Sequence, residues 1–183
     1  MSAQGFALFD TPIGTCALVW SGRGITGLQL PEPTPAATRA RVKRRWPDAV
    51  EAAAVPAGVQ RALDRVQALL AGANIDLADI PLDLDAAPEF NRRVYEVART
   101  IPPGRTMTYG EIAKRLGVPH ESREVGQALG KNPVAIIVPC HRVLGADGKM
   151  GGFSANGGVS TKRRMLEIEG APEVGAGPLF AAR

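Results

Sequence analysis

Residues 108–130 read "TYGEIAKRLGVPHESREVGQALG", a pattern that predicts two short helices in the second half of the chain. Thr108 and Glu111 have capping-box spacing, so Thr108 is predicted to cap a helix that carries Tyr109 on its first turn. A short turn containing glycine follows, and then a second helical segment, "ESREVGQALG". Two short helices joined in this way form either a DNA-binding helix-turn-helix or an ordinary helical pair, and the spacing leaves both open.

The first half of the chain carries strand signals before helical ones. Residues 5–30, "GFALFDTPIGTCALVWSGRGITGLQL", alternate apolar and polar side chains around two glycine-containing turns, which predicts two or three antiparallel strands. A helix is expected over 34–46, and a second one after Pro56, where apolar residues recur at helical spacing. The segment 80–85, "IPLDLD", alternates as a further strand would.

These elements predict a fold of two parts. An α/β N-terminal domain, a small antiparallel sheet with helices, is expected over residues 1–87. A mainly α C-terminal domain with a winged or helix-turn-helix-like DNA-binding motif is expected over 88–170. The last residues, 171–183, are rich in glycine, alanine and proline and are expected to form a flexible tail.

The amino-acid composition bears on two questions: where the protein is located, and whether it binds a metal. The 183 residues are 45% hydrophobic, but no apolar run approaches the length of about 20 residues that spans a membrane. The start lacks a signal-peptide pattern, so a cytoplasmic protein without membrane contact is expected. Two cysteines and two histidines are too few for a four-ligand metal site, and no metal or other cofactor is expected.

Charge points to a polyanionic partner. Residues 1–87 carry 8 basic and 9 acidic side chains, whereas residues 88–183 carry 14 and 9. The basic excess therefore lies in the second half, as nucleic-acid binding would favour. A separate basic run over 39–45 is expected to be a solvated helix face rather than a binding site.

The segment "AIIVPCHRV", residues 135–143, places a cysteine and a histidine directly after an apolar run. A thiolate is a good nucleophile, and a nearby imidazole favours its formation. Neighbouring residues of an extended chain point in opposite directions, so Cys140 and His141 need a turn or a bridging water to communicate. The dipeptide alone leaves two possibilities open: a nucleophile with its base, or a buried cysteine that precedes a surface histidine.

The wider context resembles one family of DNA-repair proteins. "NPVAIIVPCHRV" follows "TYGEIA" and "SREVGQALGKN" and precedes "GGFS" and "LEIEG", an order similar to that of the methylated-DNA–protein-cysteine methyltransferases, which act on O6-alkylguanine. The resemblance is dense over 88–170 and weaker over the first half, where "TPIG" supports it. It implies stoichiometric transfer of an alkyl group from O6-alkylguanine, and also from O4-alkylthymine, in duplex DNA to a cysteine of the protein.

The resemblance also implies a role for each matching residue. Cys140 is the alkyl acceptor, which reacts once and stays a thioether. His141 takes the thiol proton through a water molecule, Glu169 orients the imidazole, and Asn132 holds the turn that carries the cysteine. Tyr109 crowds the phosphate of the lesion and donates a proton or hydrogen bond to the departing guanine.

A base inside a duplex cannot reach a buried thiol, so the resemblance implies that the nucleotide is rotated out of the stack. Arg123 is the finger that fills the gap, on a helix that enters the minor groove. Ser122, Gly126 and Gln127 are expected to contact DNA from the same helix. The substrate pocket is expected to be formed by Leu129, Val143, Phe153 and Ser154.

Duplex DNA containing O6-alkylguanine is thus the expected partner, bound by a protein that is monomeric in solution, with cooperative assembly on DNA left open. Three other functions stay open: a lesion-binding protein without transfer, a regulatory helix-turn-helix protein, and a cysteine hydrolase. The presence of Cys140 argues against the first, and no oxyanion-hole motif supports the last. The chain departs from the family pattern at Glu124, an anion beside the arginine finger, and at Ala155 and Asn156, an insertion in the glycine-rich loop.

Overall fold

The first part of the chain forms a four-stranded sheet. The structure is a computed structural model, which describes residues 5–151, 153 and 155–172. Strands β1 (Gly5–Thr11), β2 (Gly14–Trp20) and β3 (Ile25–Gln29) are antiparallel, as predicted, and the short β4 (Val50–Glu51) pairs in parallel with β1. The strand order is β3-β2-β1-β4, so the sheet is mixed rather than wholly antiparallel.

The turn between β1 and β2 depends on Gly14. Its φ of 122° lies in the region that favours glycine, and a Cβ atom there would come within 2.9 Å of Pro31 Cβ. Thr11 Oγ1 donates a hydrogen bond to the Gly14 carbonyl oxygen at 2.8 Å and closes the turn. The turn thereby fixes the register in which Phe9 faces Cys16.

Two helices cover opposite faces of the sheet, and both were predicted. Helix α1 (Pro35–Arg45) begins after Thr34, whose hydroxyl accepts a hydrogen bond from Ala37 N, and it packs Val42 on Phe6 and Val19. Helix α2 (Ala57–Leu70) packs on the other face, where alternate strand residues point.

The prediction of a strand over 80–85 is wrong, because only Leu82 of this segment pairs with a strand. Leu82 forms a single isolated bridge with Ile25, in which Ile25 N donates to Pro81 O and Asp83 N donates to Ile25 O, both at 2.9 Å. Pro81 has no N–H to donate, which limits the ladder. The Asp83 carboxylate accepts hydrogen bonds from Ser21 Oγ at 2.6 Å and Arg23 Nη2 at 2.8 Å, so side chains hold the segment instead.

The second part of the chain is mainly helical, as predicted. Its elements are α3 (Glu89–Ala98), β5 (Met107–Thr108), α4 (Tyr109–Arg115), α5 (Ser122–Gly130), β6 (Val143–Leu144) and α6 (Val159–Glu169). The capping box of α4 is confirmed, because Glu111 N donates to Thr108 Oγ1 at 3.1 Å and Thr108 N donates to Glu111 Oε2 at 2.7 Å. Helices α4 and α5 form the helix-turn-helix and pack on α3, where Tyr95 Oη donates to Ala128 O at 2.7 Å.

The two parts of the chain are packed around a common core, and a backbone hydrogen bond joins them. Leu28 N on the edge strand β3 donates to Pro133 O at 2.9 Å, and Leu28 pairs with Val134. The largest cluster of buried apolar residues runs through both parts. The division at residue 87 stays a prediction, and most of the predicted tail, 173–183, lies outside the described residues.

None of the helices in the described ranges is long and apolar enough to cross a membrane.

Candidate active site

The turn that carries Cys140 is built around an asparagine. Asn132 Nδ2 donates to Val138 O at 2.9 Å, and Asn132 Oδ1 accepts from Val134 N at 2.9 Å. The chain then enters a 3-10 turn, Cys140–Arg142. Because this backbone is helical rather than extended, Cys140 and His141 are no longer constrained to point in opposite directions.

A strained residue lies inside the same turn. Ile136 has φ 71°, a left-handed conformation that a β-branched residue rarely adopts, and its side chain is fully buried. Such a conformation costs about 1–3 kcal/mol and persists only where the surroundings impose it. Burial of Ile136 and the two hydrogen bonds of Asn132 supply that constraint.

His141, Glu169 and Arg142 form a buried network behind the cysteine. His141 Nε2 lies 2.8 Å from Glu169 Oε1, and Arg142 donates to both carboxylate oxygens, from Nε at 2.9 Å and from Nη2 at 2.8 Å. Arg142 Nη1 also donates to Ile101 O at 2.6 Å. An ionised carboxylate only accepts hydrogen bonds, so Nε2 of His141 carries the hydrogen and Nδ1 is left with a free lone pair.

Burial and charge set the protonation states of this network. Burial opposes ionisation of Glu169, but the charges and hydrogen bonds of His141 and Arg142 outweigh it and lower the pKa of Glu169 to about 2. Burial lowers the pKa of His141 below its ordinary value, and the attraction of Glu169 offsets this only in part. Glu169 is therefore an anion at neutral pH, and His141 is a neutral imidazole.

The cysteine is a protonated thiol in this environment. Burial raises the pKa of Cys140, although a hydrogen bond with Asn132 and the positive charge of Lys162 act in the opposite direction. A thiol with a raised pKa requires a base before it can attack. His141 fits that need, because its Nδ1 is buried and makes no hydrogen bond to any of the described residues.

Cys140 opens into a cleft of about 250 Å³ between the two parts of the chain. Five of the predicted site residues meet the cysteine there and line one side of the cleft: Tyr109, Gly126, Leu129, Asn132 and Phe153. Burial raises the pKa of Tyr109, which keeps its hydroxyl protonated and able to donate. The opposite side belongs to β3, to the segment after it and to α1, which the sequence did not predict.

Lys162 also lines the cleft, although it was not predicted as a site residue from the sequence. Its side chain is fully buried, its Nζ donates to Val143 O at 2.6 Å, and the same nitrogen lies 5.9 Å from the centre of the Tyr109 ring. Burial lowers the pKa of Lys162, and Cys140 acts in the opposite direction. A signal was present, since Lys162, Met165, Leu166 and Glu169 share one face of α6.

The remaining predicted residues lie outside the cleft or outside the described ranges. Ser122, Arg123 and Gln127 are exposed on α5, beside the cleft-lining Gly126. Val143 is buried and, within the described part of the chain, is not a cleft-lining residue; its carbonyl faces Lys162. Ser154 is outside the described residues, so its place in the pocket stays a prediction.

Cys16 offers no second reactive thiol. It lies in the core of the sheet, where burial raises its pKa to about 12 against the smaller effect of a hydrogen bond with Thr11. Across residues 5–151, 153 and 155–172, no three His, Cys, Asp or Glu side chains cluster as metal ligands would.

Known proteins are similar to this chain in both sequence and fold. The family profile described as "6-O-methylguanine DNA methyltransferase, DNA binding domain" matches residues 89–171. The methylated-DNA–protein-cysteine methyltransferase of Mycobacterium tuberculosis H37Rv is 41% identical over 165 residues, covering 90% of this chain and 91% of the relative. That of Methanothermobacter thermautotrophicus is 35% identical and covers 87% and 81%.

A solved structure supports the same relationship. The crystal structure of Mycobacterium tuberculosis OGT in complex with DNA superposes with a TM-score of 0.73 at 36% identity, covering 93% of this chain and 97% of that one. This coverage includes both parts of the molecule, and the residues matched by the family profile include the cysteine turn. The chain belongs to the methylated-DNA–protein-cysteine methyltransferase family.

Proposed function

We propose that the protein repairs DNA by moving the alkyl group of O6-alkylguanine, and of O4-alkylthymine, from duplex DNA to Cys140. The observation that carries the proposal is a cysteine that opens into a cleft while its sequence neighbour His141 is paired, behind it, with the buried carboxylate of Glu169. The names of the relatives support the chemistry, and the DNA complex of the structural neighbour supports the partner.

The proton moves before the alkyl group. Neutral His141 accepts the thiol proton at Nδ1 through a water molecule, and Glu169 stabilises the imidazolium that forms. The thiolate of Cys140 attacks the alkyl carbon, the sulfur–carbon bond forms, and the carbon–O6 bond breaks with its electron pair passing to guanine. The thioether has no good leaving group, so each molecule reacts once.

The departing guanine needs a proton donor. The hydroxyl of Tyr109 lines the cleft and is protonated, so it donates a hydrogen bond or proton to the base as negative charge develops.

The base reaches the cleft by leaving the duplex. Helix α5 enters the minor groove, where Arg123 takes the place of the flipped nucleotide and Ser122, Gly126 and Gln127 contact the strand. The exposure of Ser122, Arg123 and Gln127 on α5 supports this orientation. Monomeric behaviour in solution and a cytoplasmic location complete the proposal, and cooperative assembly on DNA stays open.

A lesion-binding protein without transfer is the strongest alternative. Retention of the cysteine with its base and carboxylate argues against it, because binding alone requires none of the three. The proposal is tested by digesting an O6-methylguanine duplex to nucleosides after incubation and measuring the lost lesion against the protein added. A burst of one lesion per protein, abolished by Cys140→Ser and kept by Cys16→Ser, is expected. Continued turnover, or full repair by Cys140→Ser, would contradict the proposal.

A further inference from the structure

The cleft beside Cys140 has a basic wall that the proposed chemistry does not use. Arg41 and Arg45, one helical turn apart on α1, line the same cleft as Cys140 and Lys162. The only acidic side chain among the cleft-lining residues in the described ranges is Glu32, so three cations face one carboxylate. Such an excess favours an anionic ligand.

The arginines of α1 have different environments. Arg39 makes a two-pronged pair with Glu51, with Nε at 2.9 Å and Nη2 at 3.1 Å from the carboxylate. Arg41 Nε lies 4.0 Å from Glu32 Oε1, which is beyond hydrogen-bonding distance. Arg45 makes no ion pair with any described residue. Arg41 and Arg45 are exposed, as expected for a solvated helix face, but they also line the cleft with most of their donors unused.

The guanidinium of Arg45 is held in place without being neutralised. Its Nη1 donates to Gln29 Oε1 at 2.9 Å, and its central carbon lies 4.5 Å from the centre of the Trp46 ring. Gln29 itself is buried and donates to Leu30 O at 3.0 Å. Partial burial of the guanidinium and the neighbouring charge of Arg41 lower the pKa of Arg45. Like charges one turn apart destabilise a helix, so this arrangement costs stability unless an anion lies between them.

We propose that Arg41 and Arg45 form an oxyanion-binding subsite at the N-terminal wall of the cleft, which holds an anion of the DNA substrate while the lesion faces Cys140. The inference rests on the proposed function, because the anion is presented by the flipped nucleotide. Both arginines are exposed at the open end of the cleft, so a backbone phosphate next to the lesion is the expected source. A carboxylate on the O6 substituent has the same chemistry and is the other source.

The chemistry of transfer is the same whether the bound anion is a backbone phosphate or a carboxylate on the O6 substituent. For a carboxymethyl lesion, Sγ of Cys140 bonds to the methylene carbon, the carbon–O6 bond breaks, and its electron pair stays with guanine. The base gains its proton from the Tyr109 hydroxyl, and the thiol proton taken up by His141 passes to solvent, from which the tyrosine is reprotonated. The products are guanine and a carboxymethyl thioether, and the subsite changes only how firmly the anion is held.

The test compares Arg41→Gln, Arg45→Gln and Arg45→Lys with Arg44→Gln, an exposed residue of the same helix that does not line the cleft. Duplex affinity and the second-order rate of transfer are measured with three DNAs. They carry O6-methylguanine, O6-methylguanine flanked by neutral methylphosphonates, and O6-carboxymethylguanine. Thermal unfolding of each variant checks that it is folded, and Arg41→Gln leaves the Trp46 stacking intact.

We expect Arg41→Gln and Arg45→Gln each to weaken affinity and transfer about ten-fold relative to Arg44→Gln, the size of one charge-assisted hydrogen bond, with Arg45→Lys in between. Disappearance of this loss on methylphosphonate DNA identifies the phosphate as the anion. A loss confined to O6-carboxymethylguanine supports the subsite with the substituent as the anion. Equal behaviour of all four variants on every DNA would overturn it. Failure of the unmodified protein to transfer a methyl group would instead refute the proposed function, and duplex affinity would still test the subsite.

Discussion

Replacing Glu169 by glutamine isolates the charge that holds the buried network together. The Glu169 carboxylate receives two hydrogen bonds from Arg142, at 2.9 and 2.8 Å, and lies 2.8 Å from His141 Nε2. Glutamine keeps the shape but loses the charge and one acceptor oxygen. Arg142 would then remain a buried cation without its counterion, which is the costly half of a broken ion pair.

The size of the effect follows from the pKa of Glu169. Its fall from 4.5 to about 2 corresponds to about 3 kcal/mol of stability, since each pKa unit is worth about 1.4 kcal/mol. The side chain is only 2% exposed, so solvent screens little of this energy. The folded pKa lies below the unfolded one. The contribution is therefore complete above about pH 4.5 and is lost as the pH falls towards 2.

Urea denaturation at several pH values measures this contribution. We expect Glu169→Gln to lower the free energy of unfolding by about 3 kcal/mol at pH 7, and the difference from the unmodified protein to shrink steadily below about pH 4.5. Glu167→Gln, at an exposed position of the same helix, should change it by less than about 0.5 kcal/mol. If the loss of stability were the same at pH 7 and pH 3, or smaller than that of Glu167→Gln, the Glu169 charge would not stabilise the network.

Four further predictions concern single residues. Asn132→Ala should cost about 1–3 kcal/mol in urea denaturation and slow transfer, because Val134 N loses its partner; unchanged stability would contradict the role of the turn. Thr108→Ala should cost about 1 kcal/mol by loss of the α4 cap, measured by thermal unfolding. Lys162→Met should raise the pKa of the Cys140 thiol, followed by its alkylation rate with iodoacetamide against pH, whereas the exposed Lys114→Met should not. The transfer rate should stay level as the pH falls from 7.5 to 6.5, because the lowered pKa of His141 keeps the imidazole neutral; a decline centred on 6.5 would show an ordinary histidine.

Local features of this fold could be predicted because short stretches of sequence determine them. The capping box at Thr108, the antiparallel strands and the amphipathic helices each depend on residues a few positions apart. The strand expected over 80–85 failed because alternation does not reveal that Pro81 cannot extend the ladder or that Arg23 and Ser21 hold Asp83.

The residues of the candidate active site could be predicted mainly from the resemblance of the sequence to a known family. Glu169 lies 28 positions from His141, and no local pattern joins them. The partner of Arg142 could not be inferred from the motif, since the same residue could equally have faced a phosphate. The cleft wall at Arg41 and Arg45 depends on how β3 and α1 pack beside the cysteine turn, and that is a property of tertiary structure alone.

Alkyl transfer to Cys140 can be measured directly as the intact mass of the protein after incubation with a duplex that holds one O6-methylguanine, followed by peptide mapping. We expect a gain of one methylene per chain that is confined to the peptide containing Cys140, saturates at one group and is absent from Cys140→Ser. An unchanged mass with the lesion still in the DNA would contradict it, as would a methyl group found on another residue.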